Sequence, residues 1–175
     1  CINSSAKSLD GIRKILSSKY LSDDINIKFI KGDIRDENLL KDIFENAFKS
    51  DKPIEGVIHF AGLKSVGESN KYPLMYWENN VSGTINLLKI MSQNDCTNLI
   101  FSSSATIYSS KSKAPITEET EIDPINTYGN TKATVEKILS DLHKSDPIKW
   151  RIANLRYFNP IGAHPSGLLG ENPQG

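Results

Sequence analysis

Cysteine is almost absent from this chain: Cys1 and Cys96 are the only two thiols in 175 residues. Two thiols set so far apart make no disulfide framework, and that sparseness points to a reducing, cytoplasmic setting. An excess of one charge is also absent. Twenty-one basic residues balance 21 acidic ones, for a formal net charge of +0. Nothing in that balance asks for nucleic acid or an anionic membrane surface as partner. No apolar run approaches the ~20 residues of a membrane span. Metal-ligand spacing is missing, because His59, His143 and His164 are scattered and the cysteines stand apart from them. A G-x-S-x-G nucleophile elbow is missing too, which leaves a hydrolase little support. Internal repeats and low-complexity tracts are not found. No strand pattern precedes Cys1, and the chain ends on the turn-rich Asn172-Pro173-Gln174-Gly175. Both ends read as internal, so the expectation is a piece of a longer protein.

What is present is alternation of helix and strand patterns. Residues 9–21 read as a helix and 26–30 as a short strand. Asp36 reads as the N-cap of a helix reaching Phe48, with Leu39, Leu40, Ile43, Phe44, Ala47 and Phe48 on one face. Residues 57–61 read as a buried strand, 72–93 as mostly helix and 98–103 as a strand. A polar loop over 109–126 leads to a helix over 127–144 and a strand over 150–155. Strands separated by helices in this order predict an α/β fold with a parallel, doubly wound sheet. Ligands of such sheets bind at the carboxyl ends of the strands. The unusual residues fall there: Gly32-Asp33-Ile34, then Phe60-Ala61-Gly62-Leu63-Lys64, then Ser102-Ser103-Ser104, then Tyr157-Phe158-Asn159.

The chemistry concentrates in Tyr128-Gly129-Asn130-Thr131-Lys132 together with Ser104. Tyrosine and lysine at this spacing share one helix face. A free phenol, with a pKa near ~10, is a poor base at neutral pH. A neighbouring ammonium favours the phenolate, and a shift of roughly three units corresponds to about 4 kcal/mol. A serine hydroxyl beside the pair can position a substrate hydroxyl and share its proton. The trio suits proton removal from an alcohol whose carbon gives up a hydride.

Other motifs are weaker alone. Asp33 fits an adenine contact or a plain turn. Phe60-Ala61-Gly62 fits a close backbone approach to a ligand or a tight turn. His59 reads as a packed histidine. Asn79-Asn80 interrupts an otherwise apolar helix, where asparagine is a mediocre former.

These segments together resemble the extended short-chain dehydrogenase/reductase family, and most closely its nucleotide-sugar 4-epimerases. The resemblance rests on Gly32-Asp33-Ile34-Arg35, the HFAGLK-x-VGES stretch from His59 to Ser69, Asn79-Asn80-Val81-Ser82-Gly83-Thr84, Phe101 to Thr106, Tyr128 to Lys132, and the RYFNP-x-GAHPSG stretch from Arg156 to Gly167. It spans essentially the whole chain. The tyrosine–lysine element is shared across the superfamily, whereas the two long stretches are far more specific.

The resemblance implies a Rossmann-type fold binding NAD, an isomerase, and interconversion of UDP-glucose and UDP-galactose through a 4-keto sugar in galactose metabolism. It assigns Tyr128 as base, Lys132 as the group that tunes it and holds the nicotinamide ribose, and Ser104 as proton-transfer partner. It puts cofactor contacts on Asp33, Ile34, Phe60, Ala61, Gly62, Leu63, Lys64, Asn79, Ser104, Tyr128, Lys132 and Phe158. Substrate contacts fall on Ser104, Tyr128 and Asn159. Residues 1–156 become a partial NAD-binding domain and 157–175 the start of a substrate-binding region. A homodimer through the helices of 72–93 and 127–144 is implied for the full-length protein.

The family's first strand and its Gly-x-x-Gly-x-x-Gly phosphate loop are missing from this chain, as is its ribose-binding acid. Two alternatives stay open at this point. One is a sugar-nucleotide dehydratase or other oxidoreductase of the superfamily, although Ala105 and Thr106 follow Ser104 where dehydratases usually carry an acidic pair. The other is nucleotide binding without turnover.

Overall fold

The computed structural model describes residues 6–20 and 26–170. They divide into two units, Gly32–Phe158 and a smaller one drawn from Cys1–Lys31 and Asn159–Gly175. The larger unit carries a parallel sheet of three strands: β1 (Gly56–His59), β2 (Asn98–Ser104) and β3 (Arg151–Tyr157), in the order β1-β2-β3. The smaller unit contains α1 (Ser8–Ser17), an amphipathic helix with no buried residue.

Helices link the strands as parallel pairing requires. α2 (Glu37–Lys49) starts where the sequence places its cap: Asp36 is extended and its side chain accepts from Leu39 N–H at 3.0 Å. After β1 come α3 (Val66–Lys71), α4 (Pro73–Tyr76), a π-helical stretch Trp77–Ser82 and α5 (Gly83–Gln93). β2 ends in a 3₁₀ turn, Ala105–Ile107. The following loop closes on α6 (Thr127–Ser145), capped by Asn126 through Gly129 N–H at 2.8 Å.

The core lies on one face of the sheet. Leu99 and Phe101 of β2 alternate inward and meet Leu87, Leu88, Ile90 and Met91 of α5, Val135 and Leu139 of α6, and Leu40 and Phe44 of α2. Of the opposite face, Ile58 is 62% exposed and Ile100 is 37% exposed. Together with Gly56, Asn98 and Ala153 they line an open hollow of about 490 Å³.

Several expectations need correction. Residues 26–30 form no strand, since no described neighbour offers them a ladder of hydrogen bonds. The strand expected over 57–61 is shorter and one-sided, with only His59 buried, because the described helices cover one face of it. Phe48 is 73% exposed, past the end of the buried stripe of α2. The mostly helical reading of 72–93 holds, with a π-helical stretch in its middle that the sequence did not announce. The sequence reading also passed over α3, whose Gly67, Glu68 and Asn70 carry no apolar period. Leu21, Cys1 and residues 171–175 lie outside the described residues. No helix among the described residues is long and apolar enough to cross a membrane.

Phe44 is the joint between α2 and the core. Phe44→Ala is expected to cost about 3–4 kcal/mol in transfer and cavity terms. Urea unfolding of the two proteins, compared at constant slope, measures it.

Candidate functional site

Three local features bring the site together. β2 ends at Ser104, which is 8% exposed, and the 3₁₀ turn follows at once. Ser104 Oγ is held there by Thr106, whose backbone N–H donates at 3.2 Å and whose hydroxyl donates at 2.9 Å. The first turns of α6 then carry Tyr128 (9% exposed) and Lys132 (5% exposed) under the strand ends. Gly129 makes that approach possible: a Cβ there would stand 2.6 Å from the Thr106 carbonyl oxygen and 2.9 Å from Pro124.

The trio is assembled. The Ser104 hydroxyl lies near enough to the Tyr128 phenol to favour its ionised form. Lys132 Nζ lies 5.8 Å from the centre of the Tyr128 ring and 4.8 Å from that of Phe101. Its one described hydrogen bond goes to the Ser102 carbonyl at 2.7 Å. An ammonium has three N–H donors, so two have no hydrogen-bond partner among the described residues. Burial pushes the Lys132 pKa down to about 8. The phenol also responds mainly to burial, which raises its pKa, with the Ser104 hydroxyl opposing. The expected lowering of the Tyr128 pKa by Lys132 is therefore corrected: desolvation dominates the phenol, and the lysine is not among its causes.

The turn after β1 reaches the same place. A Cβ on Gly62 would stand 3.6 Å from Lys132 Nζ and 3.4 Å from Asn80 Oδ1. Asn80, 4% exposed, fixes this turn from the π-helical stretch. Its Oδ1 accepts from Leu63 N–H at 2.8 Å, and its Nδ2 donates to the Leu63 carbonyl at 3.0 Å and to Thr131 Oγ1 at 3.1 Å. Asn79 Nδ2 donates to Asn80 Oδ1 at 3.0 Å. Sequence reasoning singled out the asparagine doublet but carried only Asn79 into the site. The residue that ties the β1 turn to α6 is Asn80, and a π-helical interruption is a common signature of such positions.

His59, as expected, is a packed histidine. It is 3% exposed and its Nε2 lies 2.8 Å from Thr84 Oγ1. Thr84 spends its own proton on the Asn80 carbonyl at 2.6 Å. The histidine nitrogen is therefore the donor of that pair. Burial, with the Lys132 charge second, holds its pKa down to about 4.

The remaining candidates lie at the rim or beyond it. Phe60 and Phe158 are exposed, and Phe158 stacks on Tyr108 at 6.4 Å between centres. Ala61 and Lys64 are exposed, whereas Leu63 is half-buried. Asp33 binds its neighbour Arg35 at 2.7 Å, which holds its carboxyl down to about 2. Ile34 packs where a Cβ on Gly83 would stand, 2.6 Å away. Asn159 belongs to the smaller unit. No cluster among the described residues has the makings of a metal site.

A parallel α/β sheet flanked by helices, with a strand-end serine and a buried tyrosine–lysine pair beneath it, defines a Rossmann-type protein. The chain belongs to the extended short-chain dehydrogenase/reductase family, and the family model described as GDP-mannose 4,6 dehydratase matches residues 1–173. It is 47% identical over 173 residues to UDP-glucose 4-epimerase 2 of Arabidopsis thaliana, covering 99% of this chain and 47% of that one. It is 51% identical over 150 residues to UDP-glucose 4-epimerase 2 of Oryza sativa, covering 86% of this chain and 35% of that one. Among solved structures, UDP-glucose 4-epimerase from Bifidobacterium longum in complex with NAD+ and UDP superposes with a TM-score of 0.86 at 45% identity. That match covers 99% of this chain and 48% of the other. The chain thus spans less than half the length of these relatives.

The buried ammonium has a consequence for stability. Between the folded pKa of about 8 and the ordinary value of 10.5, the unfolded chain binds the Lys132 proton and the folded one does not. Stability therefore rises with pH across that window, and the penalty, about 3 kcal/mol, is fully present below pH 8. Lys132→Met is expected to be the more stable protein at pH 7, with its advantage shrinking towards pH 10.5. Thermal melts of both proteins across that range measure it.

Proposed function

We propose that the full-length protein is a UDP-glucose 4-epimerase, interconverting UDP-glucose and UDP-galactose in galactose metabolism with NAD as resident cofactor. The observation that carries this reading is the gathering of Ser104, Tyr128 and Lys132 into one buried cluster at the strand ends. The names of the relatives support the substrate, and the NAD+ and UDP in the Bifidobacterium longum structure support the ligands.

The residues present fit the nicotinamide half of NAD. Two Lys132 N–H donors are uncommitted, as ribose hydroxyls require, and the Gly62 backbone runs close beside them. Exposed Phe60 and Phe158 offer rings for a planar group. Asp33, Ile34, Ala61, Leu63, Lys64 and Asn79 are the further cofactor contacts of this reading. When bound, NAD supplies reversible acceptance of the C4 hydride, which makes a 4-keto sugar the intermediate, and a positive charge that favours the phenolate.

Tyr128 takes the proton of the sugar 4-hydroxyl and later returns it. Ser104 positions that hydroxyl and stabilises the developing phenolate. Lys132 keeps the local field positive. Desolvation around the cluster strengthens each of these interactions. Asn159 is assigned to the nucleotide-sugar, with residues 1–156 as part of the NAD-binding domain and 157–175 opening the substrate-binding region. A dehydratase needs an acid next to the strand-end serine. Here Ala105 and Thr106 occupy that turn, and the Thr106 hydroxyl is spent on Ser104.

The same reading makes the full-length protein a cytoplasmic homodimer. The outer surfaces of α5 and α6 share a largely apolar hollow of about 410 Å³ lined by Ile85, Leu88, Ile138 and Leu142, which a second copy of the helix pair would fill.

In the full-length protein, Tyr128→Phe is expected to lower epimerisation of UDP-galactose by at least ~10²-fold while leaving NAD bound. Near-normal turnover in this variant, or a 4-keto-6-deoxy product from the parent, would sink the assignment. Ile85→Glu is expected to halve the mass seen by light scattering; an unchanged mass places the dimer contact elsewhere.

A further inference from the structure

The VGES stretch marked out in the sequence has no role in the chemistry above, yet it touches the backbone of the catalytic helix. A helix leaves its first N–H groups without intrahelical partners. In α6 the usual local cap serves only one of them: Asn126 accepts from Gly129 N–H at 2.8 Å. The other two are taken by α3. Asn70 Oδ1 accepts from Thr127 N–H at 3.2 Å, and Ser69 Oγ accepts from Tyr128 N–H at 3.0 Å.

Ser69 is suited to accept and nothing else. It is 0% exposed, and its own proton is committed to the Val66 carbonyl at 2.7 Å. α3 is in turn held rigidly. Ser65 caps it through Glu68 N–H, and the fully buried Tyr76 donates to Glu68 at 2.7 Å while accepting from Ser65 N–H at 3.1 Å. On its other side the first turn of α6 rests against Thr106, whose carbonyl occupies the space left by Gly129. Tyr128 is thus pinned between α3 and the turn that carries Ser104.

We infer that Ser69 and Asn70 are positioning residues: by accepting from the Tyr128 and Thr127 amides they set the register of α6 that holds the Tyr128 phenol against Ser104. The inference rests on the epimerase reading and concerns its rate, not its substrate. Displacing Tyr128 from Ser104 weakens the influence of that hydroxyl, which favours the phenolate. The acid limb of the rate profile then moves to higher pH; Lys132, one turn along the same helix and 5.8 Å from the Tyr128 ring centre, is the described charged group beside the phenol.

The test uses the full-length protein and UDP-galactose. Ser69→Ala is expected to lower kcat by about tenfold, with KM changed less than about twofold, since small misplacements of a reacting group are costly in rate. Its acid limb shifts upward. Asn70 is exposed, so variants there probe the same tether without disturbing a buried site. Asn70→Ala is expected to lower kcat by about threefold, and Asn70→Asp, which keeps the acceptor at a helix N-terminus that favours negative charge, restores it. If both alanine variants melt earlier but keep the parent kcat and pH profile, or if Asn70→Asp behaves like Asn70→Ala, the inference is overturned. A parent protein with no epimerisation at all would instead remove the functional reading on which it rests.

Discussion

The burial of one ammonium organises this molecule. Lys132 is held under the sheet by the Ser102 carbonyl and two aromatic rings, at a cost visible in its depressed pKa. No carboxylate is among the causes of that shift. A buried charge without a counter-ion is destabilising, and it is kept where a function requires it. The surroundings of Lys132 are arranged about it: the Gly62 turn passes beside it, Asn80 locks that turn, and burial, with the lysine charge second, keeps His59 neutral. The Arg156–Glu136 pair a turn further along α6 does the opposite, with the guanidinium at 2.7 Å and also bonded to Tyr108. That pair is neutralised and ties β3 to α6, so among the described residues the buried ammonium without a counter-ion stands where chemistry is proposed.

The sheet and most of its helices were legible in the sequence because their signals are local. Asp36 before an apolar stripe, the β-rich run at 98–103 and the period of α6 each depend on a few neighbouring residues. The trio was legible for the same reason, as a spacing plus a strand end. What escaped was what depends on distant partners. α3 has no apolar period, and its Ser69 is buried by contacts with α6, far along the chain. The π-helical stretch is one residue of excess winding that no composition announces, and Asn80 acquires its role only because Leu63 and Thr131 are brought to it. The short strand at 26–30 failed for the converse reason, a good pattern without a described partner. The phenol was misjudged because charge proximity can be guessed from spacing, whereas desolvation cannot.

Position and reactivity are supplied here by different parts of the chain. The strand ends and the β1 turn provide groups that face a ligand. α3, the π-helical stretch and the Thr106 turn provide none, but their hydrogen bonds fix the backbone from which the reactive groups extend. Such a division lets the site hold a strained electrostatic arrangement, since the packing that opposes it lies outside the reacting volume.

The open side of the sheet is a separate surface from the one that carries the cluster. Ile58 and Ile100 present branched side chains to water beside the hydrogen-bonding edge of β1. Among the described residues no strand pairs with the outer edge of β1, and an apolar face beside such an edge is a surface that other protein covers. Whatever comes to lie on that face gains the apolar burial of two branched side chains without touching the tyrosine–lysine cluster at the strand ends.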